Sequence, residues 1–286
     1  MIRLHHTPSG PILEQSGRFV RPELGFTIDA LFSHEDPVAF ATAAFHSGKP
    51  ADAPESVVAP IASQEVWAAG VTYLRSKSAR MAESKDAGGG TFYDRVYEAP
   101  RPELFFKGNA QRTAAPGGPV RIRADSKWNV PEPELTLAVS ATGKIFGYTV
   151  GNDMSSRDIE GENPLYLPQA KVYNGSCAVG PGIQIGDTRQ MKDLTISLEI
   201  TRAGRTAFTG ETRTSQIKRP LEELAGYLYM ELDFPKGAFL STGTGIVPGQ
   251  DFSLTHGDVV AITIGGMTLE NEVAGRSSAG PAKVTK

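Results

Sequence analysis

Two glutamates separated by a single residue, Glu132 and Glu134, stand among prolines at 131 and 133. Residues two apart on a strand point to the same face. Both carboxylates therefore aim at one spot, and they repel unless a cation or a proton lies between them. The apolar run 135–139 that follows reads as a buried strand, which sets the pair at the rim of a core. Proline belongs at the start or edge of a strand, and here it stiffens the backbone around the pair. A turn at 141–144 leads into a second strand-like run, 145–150, and a hairpin there returns the chain beside the glutamates with Asp153 at its end. Three carboxylates form an all-oxygen set that suits a hard divalent ion, Mg2+, with Mn2+ or Ca2+ as alternatives, and disfavours zinc.

Further chemistry-bearing residues flank this stretch. The segment 103–107 alternates as a strand should, with Glu103, Phe105 and Lys107 on one face. If that face lines a pocket, Glu103 is placed to act as a general acid or base and Lys107 to bind an anion. Downstream, 241–245 reads Ser-Thr-Gly-Thr-Gly, whose glycines let backbone N–H groups and the Thr244 hydroxyl approach an anionic ligand. The glycines at 88–90 permit hinge motion, so that with the preceding helix they form either a lid or a plain surface loop.

The ordered combination of Glu132-x-Glu134, Gly151-Asn152-Asp153, Lys171, Gly180-Pro181, the 241–245 loop and Gly257-Asp258 resembles the fumarylacetoacetate hydrolase superfamily over residues 66 to 274. Within it, the runs 101–107 and 155–171 are similar to the sugar-acid dehydratases. The resemblance implies a mixed β-sandwich roll with a small N-terminal domain attached, and the triad Glu132, Glu134 and Asp153 as metal ligands. It further implies a 2-keto acid substrate that chelates the metal, which polarises the keto group and stabilises charge when a proton leaves C3.

The implied reaction is loss of water from a 2-keto-3-deoxy sugar acid of the arabinonate or xylonate type, giving the semialdehyde of 2-oxoglutarate. Three carboxylates against a dication leave a net negative site, so anion binding needs nearby cations, for which Lys171 and Arg157 are the candidates. Lys171 either exchanges the C3 proton or stays charged and orients Glu132 or Asp153. The departing hydroxyl needs a general acid, with Glu103 first and Glu83 second.

The family commonly carries a histidine that activates water near position 76, where this chain has Ser76 after Arg75. Both are taken as substrate-binding candidates with Lys107 and Thr244. A serine without a partner is no base near neutral pH. That departure weighs against the alternatives, an acylpyruvate hydrolase or a 2-keto diacid decarboxylase or isomerase, more than against enol chemistry. A non-catalytic sugar-acid sensor is a third reading, opposed by the intact Glu132, Glu134, Asp153 and Lys171 set. Homodimers or homotetramers are usual in the family.

The elements that must position these groups are those of an α+β, mainly β chain. Across 286 residues, 31 glycines and 20 prolines fit many short strands joined by turns. Residues 1–65 read as a small N-terminal module and 66–286 as the catalytic domain. Asp36-Pro37 opens a helix that Gly48 closes, and Pro220 opens an amphipathic one. The neighbours His5 and His6 point to opposite sides of a strand and read as surface residues. Cys177 is the single cysteine, which excludes a disulfide within the chain and any multi-cysteine metal site; it reads as a small buried residue. The net charge of −3, with mixed signs along the chain, gives no nucleic-acid or membrane-surface footprint. No apolar run approaches the roughly 20 residues of a membrane span, and the N-terminus lacks a signal-peptide core. The expected setting is the cytoplasm.

Overall fold

The computed structural model describes residues 1–76, 78 and 95–275. Glu83, most of the helix expected after Arg75, the glycines at 88–90, Tyr93 and the tail at 277–286 lie outside the described residues.

The fold is mainly β, as its composition implies. Eleven strands form one large mixed sheet. Its centre is the hairpin of Pro133–Val139 and Ile145–Asp153, with Cys177–Ile185 beside the second strand. Beyond Pro133–Val139 lie Ala238–Ser241, Glu65–Gly70 and Glu103–Asn109. A second sheet of five strands is built on Thr195–Arg202, Arg205–Arg213, Val259–Ile264 and Met267–Ala274. There the pattern alternates strictly: Leu269, Asn271 and Val273 are buried while Thr268, Glu270 and Glu272 are exposed. One face meets the large sheet and the other meets water.

The central strand Pro133–Val139 is buried at every residue because both of its faces are covered. Leu135, Leu137 and Val139 pack with Val150, Ala178 and the inner face of the second sheet, including Leu198, Ile262 and Leu269. On the opposite face Ala138 joins Phe146, Val179 and Phe239 in a second cluster. Glu134 and Thr136 share that second face with Ala138 by the period of two. The carboxylates therefore stand at the polar end of a face whose other end is apolar core.

The N-terminal segment supplies the cover. Ile2–Thr7 pairs antiparallel with Cys177–Ile185, in register Ile2 with Ile185 and His5 with Gly182, so residues 1–65 extend the large sheet itself. Helices Ile28–Ser33 and Pro37–Ser47 lie over its second face, capped by Thr27 and by Asp36 with a proline at the first turn. Phe32 meets Phe146 edge-on at 4.9 Å and Phe239 at 5.0 Å between ring centroids. His5 pairs with Glu14 at 2.9 Å and His6 with the Ala59 carbonyl at 2.8 Å, ordinary contacts for half-buried imidazoles. Among the described residues, no helix is long and apolar enough to cross a membrane.

Because Phe146 is fully buried between the N-terminal helices and the central hairpin, Phe146→Ala is expected to cost about 3–5 kcal/mol of folding stability. Denaturant unfolding reads this directly, and a loss below about 1 kcal/mol would show that the N-terminal cover is not part of the cooperative core.

Candidate metal centre

Glu132 immediately precedes the strand Pro133–Val139 and Glu134 is its second residue. Across the hairpin Glu134 faces Gly151, and the Asp153 amide donates to the Glu132 carbonyl at 3.0 Å. Register alone thus brings the three carboxylates together. Their oxygens lie within 4.8 Å of one another, and all three residues are buried.

Burying like charges is costly unless each is balanced. The balance is an alternating ladder of acids and bases. Glu160 lies 3.9 Å from the Arg157 guanidinium, and Arg157 holds Glu132 at 2.9 Å. The other oxygen of Glu132 takes the Lys171 ammonium at 2.9 Å, and Lys171 also reaches Asp153 at 2.9 Å. The remaining oxygen of Asp153 pairs with Lys107 at 2.5 Å. Three acids and three bases leave this ladder neutral. Glu134 stands outside it, accepting a 2.7 Å hydrogen bond from the Gly243 amide. Burial, and then the charges of Asp153 and Glu132, push the Glu134 carboxyl well above the usual carboxylate range.

A hard divalent ion fits this set. The donors are all oxygens, their spacing is one that a single oxygen-seeking ion spans, and Glu134 is the carboxyl whose charge the protein itself does not pair. With the ion present and Glu134 ionised, the ladder and triad together carry one net positive charge. The centre is then attractive to an anion, a conclusion that counting only the three ligands misses.

The site opens on a small cavity lined by the charged Glu132, Glu134, Asp153 and Arg157. Ala69, Val71 and Phe105 add apolar lining, and Ser76 and Thr244 line it too. Glu103 is not among the residues lining this cavity; its carboxylate lies against Gly70, which is, and an added Cβ at Gly70 would come 1.9 Å from its oxygen.

Two residues expected to contact substrate are placed elsewhere. Lys107 does not line the cavity. The pairing of Glu65–Gly70 with Glu103–Asn109 slips at this point, so that Val66 faces Gly108 and Trp67 faces Phe106. Such a bulge re-aims a side chain, and the Lys107 ammonium is spent on Asp153 and on the carbonyls of Met154 and Lys171. Arg75 is exposed and directs its guanidinium towards the Val247 carbonyl at 3.5 Å. The Gly243 amide was expected to approach a ligand and serves Glu134 instead. The Ser76 hydroxyl donates to the Tyr73 carbonyl at 2.8 Å. Cys177 is buried, with its thiol raised to about 11 by desolvation.

Sequence reading passed over Glu160, although its place three residues after Arg157 on the helix Arg157–Glu162 is a spacing at which side chains meet.

Residues 66–274 match the family model described as fumarylacetoacetate (FAA) hydrolase C-terminal, and the chain belongs to that family. It is 48% identical over 216 residues to a protein of Haloferax volcanii named probable 2-keto-3-deoxyxylonate dehydratase, covering 75% of this chain and 73% of that one. It is 44% identical over 211 residues to the 2-dehydro-3-deoxy-D-arabinonate dehydratase of Saccharolobus solfataricus, covering 73% and 70%. Among solved structures, a 2-keto-3-deoxy-D-arabinonate dehydratase complexed with magnesium and 2,5-dioxopentanoate superimposes with a TM-score of 0.78 at 34% identity, over 96% of this chain and 98% of that one. The resemblance read from the motif residues is borne out.

The raised Glu134 carboxyl has a pH consequence. A group protonated more readily in the folded chain than in the unfolded one contributes stability that is lost as pH rises through its folded value. Metal-free protein is therefore expected to melt at lower temperature as pH climbs above the ordinary glutamate range. Mg2+ is expected to offset the loss, with an affinity that strengthens over the same rise. Calorimetry in buffers of different ionisation enthalpy is expected to show proton release on Mg2+ binding. A pH-independent affinity without proton release would contradict the assignment of Glu134.

Proposed function

We propose that this member of the fumarylacetoacetate hydrolase family is a metal-dependent dehydratase that converts a 2-keto-3-deoxy pentonate into 2,5-dioxopentanoate, the semialdehyde of 2-oxoglutarate, and water. The observation that carries the reading is the buried trio of carboxylates balanced by alternating cations at the wall of a small cavity. The Haloferax and Saccharolobus relatives are named for this dehydration, and the related solved structure holds both magnesium and 2,5-dioxopentanoate.

Glu132, Glu134 and Asp153 hold Mg2+, whose chemistry there is that of a Lewis acid drawing electron density from the keto group and making C3–H acidic. Arg157, at the cavity wall, meets the substrate carboxylate. The proton leaves C3 and the hydroxyl leaves C4 as water. C5 then gives up a proton while C3 regains one, and the resulting enol becomes the aldehyde. Glu103, whose carboxylate lies against Gly70 of the cavity lining, takes the C3 proton and returns it to the departing hydroxyl. Of the two roles open to Lys171, its contacts favour the orienting one, since its ammonium bridges Glu132 and Asp153. Ser76 and Thr244 hold the substrate hydroxyls.

Acylpyruvate hydrolysis needs a base to activate water, and among the described residues no histidine lines the cavity. The expected assembly is a homodimer or homotetramer, for which exposed Leu165 and Tyr166 provide apolar surface.

Purified protein with Mg2+ is expected to form 2,5-dioxopentanoate from 2-keto-3-deoxy-D-pentonate. Glu134→Gln is expected to abolish this. Glu103→Gln is expected to lower kcat by about 100-fold or more while leaving Mg2+ affinity within about threefold, whereas Lys171→Met is expected to weaken the metal itself, as loss of a partner of metal ligands does. Near-native turnover by Glu103→Gln would remove its role. Cleavage of an acylpyruvate with no dehydration would make the protein a hydrolase, and binding without either reaction would make it a sensor.

A further inference from the structure

Val71 has a φ of +54°, in the left-handed region. A β-branched side chain crowds the backbone there, and such residues persist only where their surroundings hold them, most often at ligand sites. Ser16 and Ala203, the other non-glycine residues with positive φ among those described, lie in exposed hairpin turns. Val71 is only 4% exposed and lines the cavity beside the metal centre.

Both neighbours of Val71 are clamped. Before it, the Glu103 carboxylate occupies the space that a side chain at Gly70 would need. After it, the Thr72 hydroxyl donates to the Thr242 carbonyl at 2.6 Å, and the Thr72 carbonyl accepts from the Lys218 amide at 3.0 Å. Tyr73 then packs against Gly245, where an added Cβ would come 2.7 Å from the ring. The chain joins these fixed points through a left-handed residue. Glycine would take that conformation without strain, yet an isopropyl group is kept there at a conformational cost. Its use lies at the cavity.

The cavity lining joins charged groups to apolar ones. The carboxylate and keto group of a 2-keto acid belong with Glu132, Glu134, Asp153 and Arg157. The carbon chain beyond C3 is then left to the apolar lining, of which Val71 is the residue held in a strained backbone. We propose that Val71, held left-handed between clamped neighbours, is the specificity-determining residue that limits the chain length of the 2-keto acid. This inference rests on the keto-acid reading of the site and goes beyond it in naming what ends the cavity. A pocket of fixed shape rejects one surplus methylene by about 10- to 200-fold, enough to separate five-carbon from six-carbon acids.

The test uses full-length protein loaded with Mg2+ and reads binding of 2-oxopentanoate and 2-oxohexanoate by calorimetry, with dehydration of five- and six-carbon 2-keto-3-deoxy acids measured beside it. Wild-type protein is expected to prefer the five-carbon ligand by about tenfold or more. Val71→Ala is expected to reduce the preference to about threefold or less, because the wall is gone while the backbone stays as it was. Val71→Gly is expected to lose the preference and to melt no lower than Val71→Ala, because it relieves the left-handed strain. The inference is overturned if wild-type protein shows no preference, if Val71→Ala keeps it, or if Val71→Gly melts below Val71→Ala. If wild-type protein fails to dehydrate the five-carbon acid while the binding preference still collapses in Val71→Ala, the dehydratase reading falls and the role of Val71 stands.

Discussion

Three carboxylates are packed together in a buried site, and the surrounding structure has to balance them. An ionised carboxylate taken out of water costs several kcal/mol even after the protein relaxes, and mutual repulsion adds to that. The chain meets the cost with cations threaded between the acids: Arg157 on Glu132, Lys171 between Glu132 and Asp153, and Lys107 on Asp153. Two ligands are thereby held in place before any ion arrives. Glu134 is left with a backbone amide, and burial beside Asp153 and Glu132 raises its carboxyl well above the usual carboxylate range. A divalent ion completes the balance and turns the cavity attractive to an anion.

The sheets exist in the form that lets this ladder be built. A strand with period two presents polar residues at one end of a face and core at the other, so Glu134 and Ala138 share a surface but not an environment. The antiparallel register delivers Asp153 to Glu132 without any loop having to be ordered. The bases come from outside the hairpin: Arg157 and Lys171 from the short helices that follow it, and Lys107 from a bulge in a strand further along the same sheet. Covering both faces of Pro133–Val139 takes the second sheet on one side and the N-terminal helices on the other, and that cover keeps water away from the charges.

The parts legible in the sequence are those set by short-range rules. Glu132, Glu134 and the return of Asp153 follow from the period of a strand and the length of a hairpin, and the cap at Asp36 and the start of the helix Leu221–Leu228 after Pro220 from local turn chemistry. Roles that depend on distant packing were not legible. Lys107 shares the alternation of Glu103 and Phe105, but it is the unmatched residue at an irregularity in its own strand and its ammonium is taken by Asp153, a partner far along the chain. Nothing in the order of residues announces that Ile2–Thr7 pairs with Cys177–Ile185, because that register is set by the burial of one shared face. Val71 carries no signal at all, since its backbone is decided by contacts at Glu103, Thr242, Lys218 and Gly245.

The buried acids and bases form one electrostatic unit, anion-binding only when a divalent ion occupies it. Calorimetric titration of pyruvate, a three-carbon 2-keto acid, into the same protein in Mg2+ and in chelator is the test. Mg2+ is expected to strengthen binding by at least about tenfold, a coupling of about 1.4 kcal/mol. Equal affinity in the two conditions would contradict it.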